Sequence, residues 1–294
     1  MKPAPFQYVA ALSVEDAIAL LSKYGSDAKL IAGGQSLVPM MNFRLARPEW
    51  LIDINRISGL AGIAQKNGAL RIGSLTRYSE LEASEAVQRS VPLLGLMLPH
   101  IAHKAIRNRG TIGGSICHAD PAAEMPVAML ALDATFELRG PTGTRRIAAD
   151  DFFIGQMTTG IEAEEILIAI EIPEIKNSEK HGFSEFARRR GDFALASAAA
   201  VLRFNGERIS DHVRIAVGGL SERAERARAA EALLAGKAPT AALIEEAAKA
   251  AAAEVKAGSD LHATEAYRRS LIATQVKQAL AVAVDHTSST GAKK

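Results

Sequence analysis

The apolar positions of this chain follow two periods, and the changes between them mark out its elements. After Ser13, the acids Glu15 and Asp16 and the apolar Ile18, Leu20 and Leu21 stand at helical spacing, which predicts an N-capped helix ending near Gly25. Short apolar runs at Lys29-Leu30-Ile31, Leu51-Ile52-Asp53-Ile54 and Leu70-Arg71-Ile72-Gly73 predict strands. Leu93, Leu94, Leu96, Met97 and Ile101 predict a helical segment interrupted at Pro99, and residues 121–132 predict an apolar helix. Alternation returns over 135–139 and 166–172, the second run stopped by Pro173. Beyond the polar stretch 174–180, which reads as a domain boundary, strands are predicted over 183–188, 198–204 and 213–217. Helices over 221–234, 240–255 and 267–284 follow, before a small polar tail. Helices and strands are mixed and no tandem repeat occurs.

Composition narrows the possible functions. A chain of 294 residues suffices for two domains. Its 35 Lys and Arg oppose 33 Asp and Glu for a net charge of +2, so no basic face that tracks a nucleic acid backbone is expected. The lone cysteine, Cys117, can neither close an intrachain disulfide nor ligate an iron–sulfur cluster by itself. The start of the chain carries Pro3, Pro5 and an early acidic pair in place of a leader's apolar run. No apolar stretch reaches the ~20 residues of a membrane-spanning helix. The reading is a cytoplasmic protein with no integral membrane segment and no nucleic acid partner.

Two glycine pairs carry the candidate chemistry. Ala32-Gly33-Gly34-Gln35-Ser36 follows a predicted strand, and Thr111-Ile112-Gly113-Gly114-Ser115 repeats the pattern as a second turn. Glycine lets a backbone approach a ligand and lets successive N–H groups converge on an anion, and each serine adds a hydroxyl donor. Two such loops meeting would cradle a pyrophosphate, although a single Gly-Gly is more often an ordinary tight turn. Neither loop is a G-x-G-x-x-G or P-loop motif, which argues against a Rossmann site and an NTPase. His100 and His103 lack a third ligand at metal spacing, and no HExxH motif occurs. Read as part of a strand, Cys117 and His118 point to opposite faces, which disfavours a thiol nucleophile. The run Arg188-Arg189-Arg190-Gly191-Asp192-Phe193 reads either as a solvated face or as an anion contact.

The segments IAGGQSLVPMMNFRLARPEWLIDINRI (31–57), IAHKAIRNRGTIGGSICHADPAAEMPVAMLALDA (101–134), FARRRGDFALASAAAVL (186–202) and IAVGGL (215–220) together resemble the FAD-binding medium subunit of molybdenum hydroxylases. The resemblance is to the carbon monoxide dehydrogenase type, related to the flavin domain of xanthine dehydrogenase, and it spans nearly the whole chain. It implies an α+β fold: a two-subdomain FAD-binding domain of the vanillyl-alcohol-oxidase-like (PCMH-type) kind, then a C-terminal domain of a small antiparallel sheet with helices. The implied limits are 1–176, with subdomains at about 1–57 and 58–176, then 177–287 and a flexible tail at 288–294. It also implies site residues. Ala32, Gly33, Gly34, Gln35 and Ser36, with Thr111, Gly113, Gly114 and Ser115, become the pyrophosphate loops. Lys29, Leu30, Ile31 and Leu37 flank the first loop, and Ile101, Ala102 and Ile161 are apolar positions beside the cofactor. Glu124 stands where relatives usually have Asp directed at FAD. Arg189 or Arg190 stands near a position often Lys, and Phe193 at a position often Tyr near the isoalloxazine, with the ring kept and the hydroxyl lost.

The function so implied is FAD-dependent electron transfer within an oxidoreductase complex, and no residue of this chain is assigned as a general acid or base. A molybdopterin-containing large subunit oxidises substrate, a small subunit relays electrons through two [2Fe-2S] clusters, and the FAD held here passes them to an external acceptor. A dimer of heterotrimers is the expected assembly. Cys117 alone cannot hold those clusters, so the iron–sulfur protein is a separate chain. Two rivals stand beside this: a stand-alone flavin oxidoreductase of the same fold, and a non-catalytic assembly module associating through its Ala-rich helices.

Overall fold

The computed structural model describes residues 1–176, 178–220 and 222–288. The chain opens with β1 (Gln7–Ala10), α1 (Val14–Tyr24), β2 (Ala28–Ile31), α2 (Leu37–Asn42) and β3 (Trp50–Asp53). These strands form a parallel sheet in the order β1-β3-β2. Ser13 caps α1 by accepting the Asp16 N–H at 3.0 Å, and Gly25 ends it with φ of 54°. Ala17, Ile18 and Leu21 on the inner face of α1 pack with Ile52, Ile54 and Ile57.

A second layer begins with β4 (Ile63–Lys66) and β5 (Ala69–Gly73), followed by α3 (Tyr78–Ala83), α4 (Glu85–Ser90), α5 (Pro92–Met97), α6 (Lys104–Arg107), α7 (Ile112–His118) and α8 (Glu124–Ala131). Then come β6 (Thr135–Gly140), β7 (Gly143–Ala148), α9 (Ala149–Phe152), the small ribbon of β8 (Phe153–Gly155) and β9 (Thr158–Thr159), and β10 (Ile166–Pro173). The sheet is antiparallel in the order β4-β5-β10-β6-β7. α8 is apolar on every side because it is buried from Glu124 to Ala131, between this layer and the next.

The last third is a four-stranded antiparallel sheet of β11 (Glu179–Phe186), β12 (Ala196–Asn205), β13 (Arg208–Gly218) and β14 (Glu225–Arg226), in sequential order. It is covered by α10 (Arg228–Leu234), α11 (Ala241–Glu254) and α12 (Glu265–Ser288). α12 lies on the sheet so closely that a Cβ on Gly182 of β11 would run into the Ala279 carbonyl, and the alanines of β12 are buried beneath it, so small side chains set the helix-to-sheet spacing. The α+β reading holds, with two sheets in the first part and one in the second.

Five local readings change. The second glycine pair is the capped first turn of α7, where Thr111 Oγ1 accepts the Gly114 N–H at 3.1 Å, and not a turn between elements. Cys117 and His118 accordingly lie on a helix and not a strand. The helix predicted from 221 starts at Arg228, Ser221 itself lying outside the described residues. Arg226 is the reason: buried, it bridges Glu231 at 2.5 Å and Asp133 at 3.0 Å from an extended segment paired with β13. The helix predicted from 121 likewise starts at Glu124, because Asp120 Oδ1 accepts the Ala122 N–H and turns the chain first. Of the tail placed at 288–294, Ser288 still belongs to α12 and 289–294 lie outside the described residues.

Candidate functional site

The two glycine segments lie side by side. A Cβ on Gly33 would run into the carbonyl of Arg109 and stand 2.9 Å from Gly110 Cα, so the first loop lies flat against the backbone that leads into Thr111. Gly34 takes φ of 70°, a conformation other side chains rarely adopt. Gln35 Nε2 donates to the Gly33 carbonyl at 2.9 Å and braces the loop. Among the described hydrogen bonds, the N–H groups of Gly33, Gly34, Gln35 and Ser36 reach no protein acceptor. Lys29, Leu30 and Ile31 lead in along β2, and Leu37 starts α2 half-buried.

The second segment is built differently. Gly113 N–H donates to Ser74 O at 2.9 Å, Gly114 N–H to Thr111 Oγ1, and Ser115 N–H to Thr111 O at 3.2 Å. These donors are spent inside the protein. Gly113 is needed for packing, since a Cβ there would sit 2.6 Å from Ser74. Gly114 and Cys117, three residues apart on one helical face, are exposed. Cys117 shows surface and is nonetheless crowded by protein, and burial pushes its thiol up to about 12. A thiol so held is neutral and not a nucleophile.

Asn55 and Arg77, which no motif singled out, join the two segments. Asn55 Nδ2 donates to the Ala32 carbonyl at 2.9 Å. Arg77 Nη2 donates to Asn55 Oδ1 at 2.6 Å, while its Nη1 donates to the Arg109 carbonyl. Arg77 also bridges in strand fashion to Thr111.

A buried acid lies deeper. Glu124, at the start of α8, is 6% exposed, and burial, reinforced by the charge of Glu185, pushes its carboxyl up to about 7. Glu185 reaches in from β11 with its side chain 4% exposed and its Oε2 without a partner. His100 Nδ1 stands 3.6 Å from Glu185 Oε1; that contact raises its proton affinity against the opposing effect of burial. Burial also pushes the Tyr78 phenol above its ordinary range, and its hydroxyl comes near Ser115 without forming a hydrogen bond of normal geometry.

The C-terminal part contributes the arginine loop. A Cβ on Gly191 would stand 2.9 Å from the Ala102 carbonyl and 2.8 Å from His103, so the arginine loop rests on the turn after Ile101. Arg107 Nη1 fixes that turn through the carbonyls of Ile101 and Ala102 at 3.0 and 3.2 Å. Arg189, Arg190 and Phe193 are exposed along the rim; of the two arginines, only Arg190 makes its charge felt at His100. A cavity of about 660 Å³ opens beside Phe193, lined also by Asp120, Gln156, Arg188, Asp260 and His262. Ile161 packs half-buried against the same core as Ala102. A separate groove on the five-stranded sheet, lined by none of these loop residues, holds ion pairs of Arg71 with Glu137 and Arg146 with Glu171. No cluster of metal-ligating side chains occurs among the described residues.

Residues 4–175 match the family model for the FAD binding domain in molybdopterin dehydrogenase, and 181–283 that for the CO dehydrogenase flavoprotein C-terminal domain. The chain therefore belongs to the family of FAD-binding medium subunits of molybdenum hydroxylases, and its cofactor is FAD. It is 41% identical over 280 residues to the carbon monoxide dehydrogenase medium chain of Hydrogenophaga pseudoflava, covering 95% of this chain and 97% of that one. It is 40% identical over 284 residues to the 6-hydroxypseudooxynicotine dehydrogenase complex subunit alpha of Paenarthrobacter nicotinovorans, covering 97% and 96%. Among solved structures, carbon monoxide dehydrogenase from Hydrogenophaga pseudoflava superposes with a TM-score of 0.94 at 43% identity, covering 96% of this chain and 98% of that one. Quinoline 2-oxidoreductase from Pseudomonas putida 86 gives 0.92 at 38%, covering 97% and 99%.

Proposed function

We propose that this chain holds FAD with its diphosphate against the first glycine loop and its ring toward the C-terminal domain, as the electron-transfer subunit of a three-chain complex. The observation that carries the reading is the run of backbone donors at Gly33, Gly34, Gln35 and Ser36, which find no acceptor among the described residues and lie beside Arg77 and Arg109. Such donors fit a diphosphate. When bound, FAD would supply the ability to take electrons one at a time from the clusters and to release them singly or in pairs to an acceptor.

The chain's own residues then have distinct tasks. Ala32 to Ser36 bind the diphosphate, with Lys29, Leu30, Ile31 and Leu37 fixing the ends of the loop. Thr111, Gly113, Gly114 and Ser115 form the opposite wall, where Gly114 leaves bare backbone and Ser115 a hydroxyl. Ile101, Ala102 and Ile161 give apolar contact and exclude water. Glu124 is the acid of the pocket, Phe193 covers the ring by stacking alone, and Arg190, rather than Arg189, stabilises negative charge there.

The partners are an iron–sulfur small subunit with two [2Fe-2S] clusters and a molybdopterin-containing large subunit, arranged as a dimer of heterotrimers in the cytoplasm. The domain limits are 1–176 and 177–287, with the first divided near 57. No helix among the described residues is long and apolar enough to cross a membrane. Native mass spectrometry of the assembly purified through this chain is expected to report FAD and two further protein chains, one releasing iron and sulfide. Flavin-loaded chain alone that oxidises substrate favours the stand-alone oxidoreductase, and flavin-free oligomers favour the assembly module; either result overturns the proposal.

A further inference from the structure

Arg77 stands out because two effects disfavour its charge and no acid touches its guanidinium. Burial, then the neighbouring Arg109, lowers its proton affinity. Two acids lie nearby and relieve it only in part. Glu80 is used by the backbone N–H of Arg77 at 2.7 Å, as a helix cap, and Asp53 is reached only through Asn55. Asp53 is itself occupied: its oxygens accept from the Tyr8 hydroxyl at 2.6 Å, from Asn55 N–H at 2.8 Å and from Asn55 Nδ2 at 2.6 Å. Arg109 is exposed and has no acid partner among the described residues.

The hydrogen bonds of this cation are spent on geometry. One arm holds the Arg109 carbonyl, against which Gly33 packs, and the other holds Asn55, which grips Ala32. A guanidinium fork can join two carbonyl-like acceptors at a fixed separation, which an ammonium cannot do. The fork thus sets the distance between the two glycine segments and leaves its positive charge without a hydrogen-bonded acid at their junction.

The geometry points to Arg77, braced by Asn55, as a positioning residue that fixes the spacing of the two glycine segments and presents the charge recognised by a diphosphate. This rests on the flavoprotein reading given above and adds to it which side chains make the loops selective for an anionic ligand. Lysine retains the charge without the fork, glutamine retains one short amide without the charge, and Asn55→Ala retains the charge without the brace.

The test is a titration of the FAD-free full chain with FAD, followed by flavin fluorescence at increasing sodium chloride, with thermal unfolding of each variant before FAD is added. Arg77→Gln is expected to bind FAD about ten- to a hundredfold more weakly, with a flatter salt dependence, while unfolding without FAD at the wild-type temperature. Arg77→Lys is expected to keep the salt dependence and recover part of the affinity. Asn55→Ala is expected to weaken binding about tenfold with the salt dependence of the wild type, and it carries the test if Arg77→Gln does not fold. Wild-type affinity and salt dependence in Arg77→Gln, or in Asn55→Ala where that variant stands in, overturns the assignment. So does an Arg77→Gln chain that loses FAD only in proportion to lost folding. A wild-type chain that is folded and binds no FAD refutes the flavoprotein reading itself, an outcome distinct from these.

Discussion

Gly33→Ala is expected to leave the secondary structure and unfolding temperature of the chain close to wild type and to weaken FAD binding by about two orders of magnitude, roughly 3 kcal/mol. The added methyl has one direction open to it, and the Arg109 carbonyl and Gly110 Cα already fill it. The first loop must therefore lift away from the backbone that precedes Thr111. That displacement pulls Ala32 from Asn55 and misaims the N–H groups of Gly34, Gln35 and Ser36. The loop is short and half-exposed, and it contributes little to the three buried cores, so folding survives. Gly95→Ala is the matched control, since nothing lies within 4 Å of a Cβ there. Calorimetric titration of both with FAD checks the contrast, and equal affinity in the two contradicts it.

The second large effect is a pH-dependent gain in stability for Glu124→Gln in the FAD-free chain. Burial and the Glu185 charge raise the Glu124 carboxyl from 4.5 to about 7 in the fold, so folding favours its protonated form. That contribution is fully present below the unfolded value and is lost as pH rises through the folded one. At pH 4.5 and below, glutamate and glutamine are nearly equivalent. Between there and pH 7 the wild type falls behind, and above pH 7 the difference levels off on the order of 3 kcal/mol in favour of glutamine. Urea unfolding of both proteins at pH 5 and pH 8 measures it. A difference that does not change with pH, or that grows toward acid, contradicts the burial of an unpaired carboxyl.

Sequence pattern revealed most of the scaffold because most of it obeys local rules. Ser13 and Gly25 bracket α1 through capping chemistry that depends on neighbours in sequence, and the alternation of β10 and the alanines of β12 record burial directly. The exceptions have long-range causes. β4 and β7 are nearly without apolar alternation: β7 lies at the sheet edge, where Arg145 and Arg146 face acids on the β9–β10 connection and on β10, and charge pairing replaces burial. Arg226 holds its segment extended for the sake of Glu231 and Asp133, the latter 93 residues away in sequence, overriding the helix propensity around it.

The site was legible to the same degree. Two Gly-Gly pairs, each followed by a serine, pointed to two segments, yet their similarity concealed unlike roles: the first leaves its donors open, and the second uses them to cap α7 and to pack on Ser74. Asn55 and Arg77 gave no sequence signal, because their role exists only once β3, the turn before α3 and the Arg109 carbonyl are side by side. Glu185 escaped notice for a similar reason. It lies on a strand of the C-terminal sheet and becomes a buried neighbour of Glu124 only when the two halves of the chain meet.

Everything functional here depends on one ligand occupying the cleft between those halves. Adding FAD to the folded, flavin-free full chain and following flavin fluorescence and the visible spectrum tests this most directly. Saturable binding of one FAD per chain is expected, with quenched fluorescence and a resolved, shifted absorption band. A folded chain that leaves FAD free at every concentration tried contradicts it.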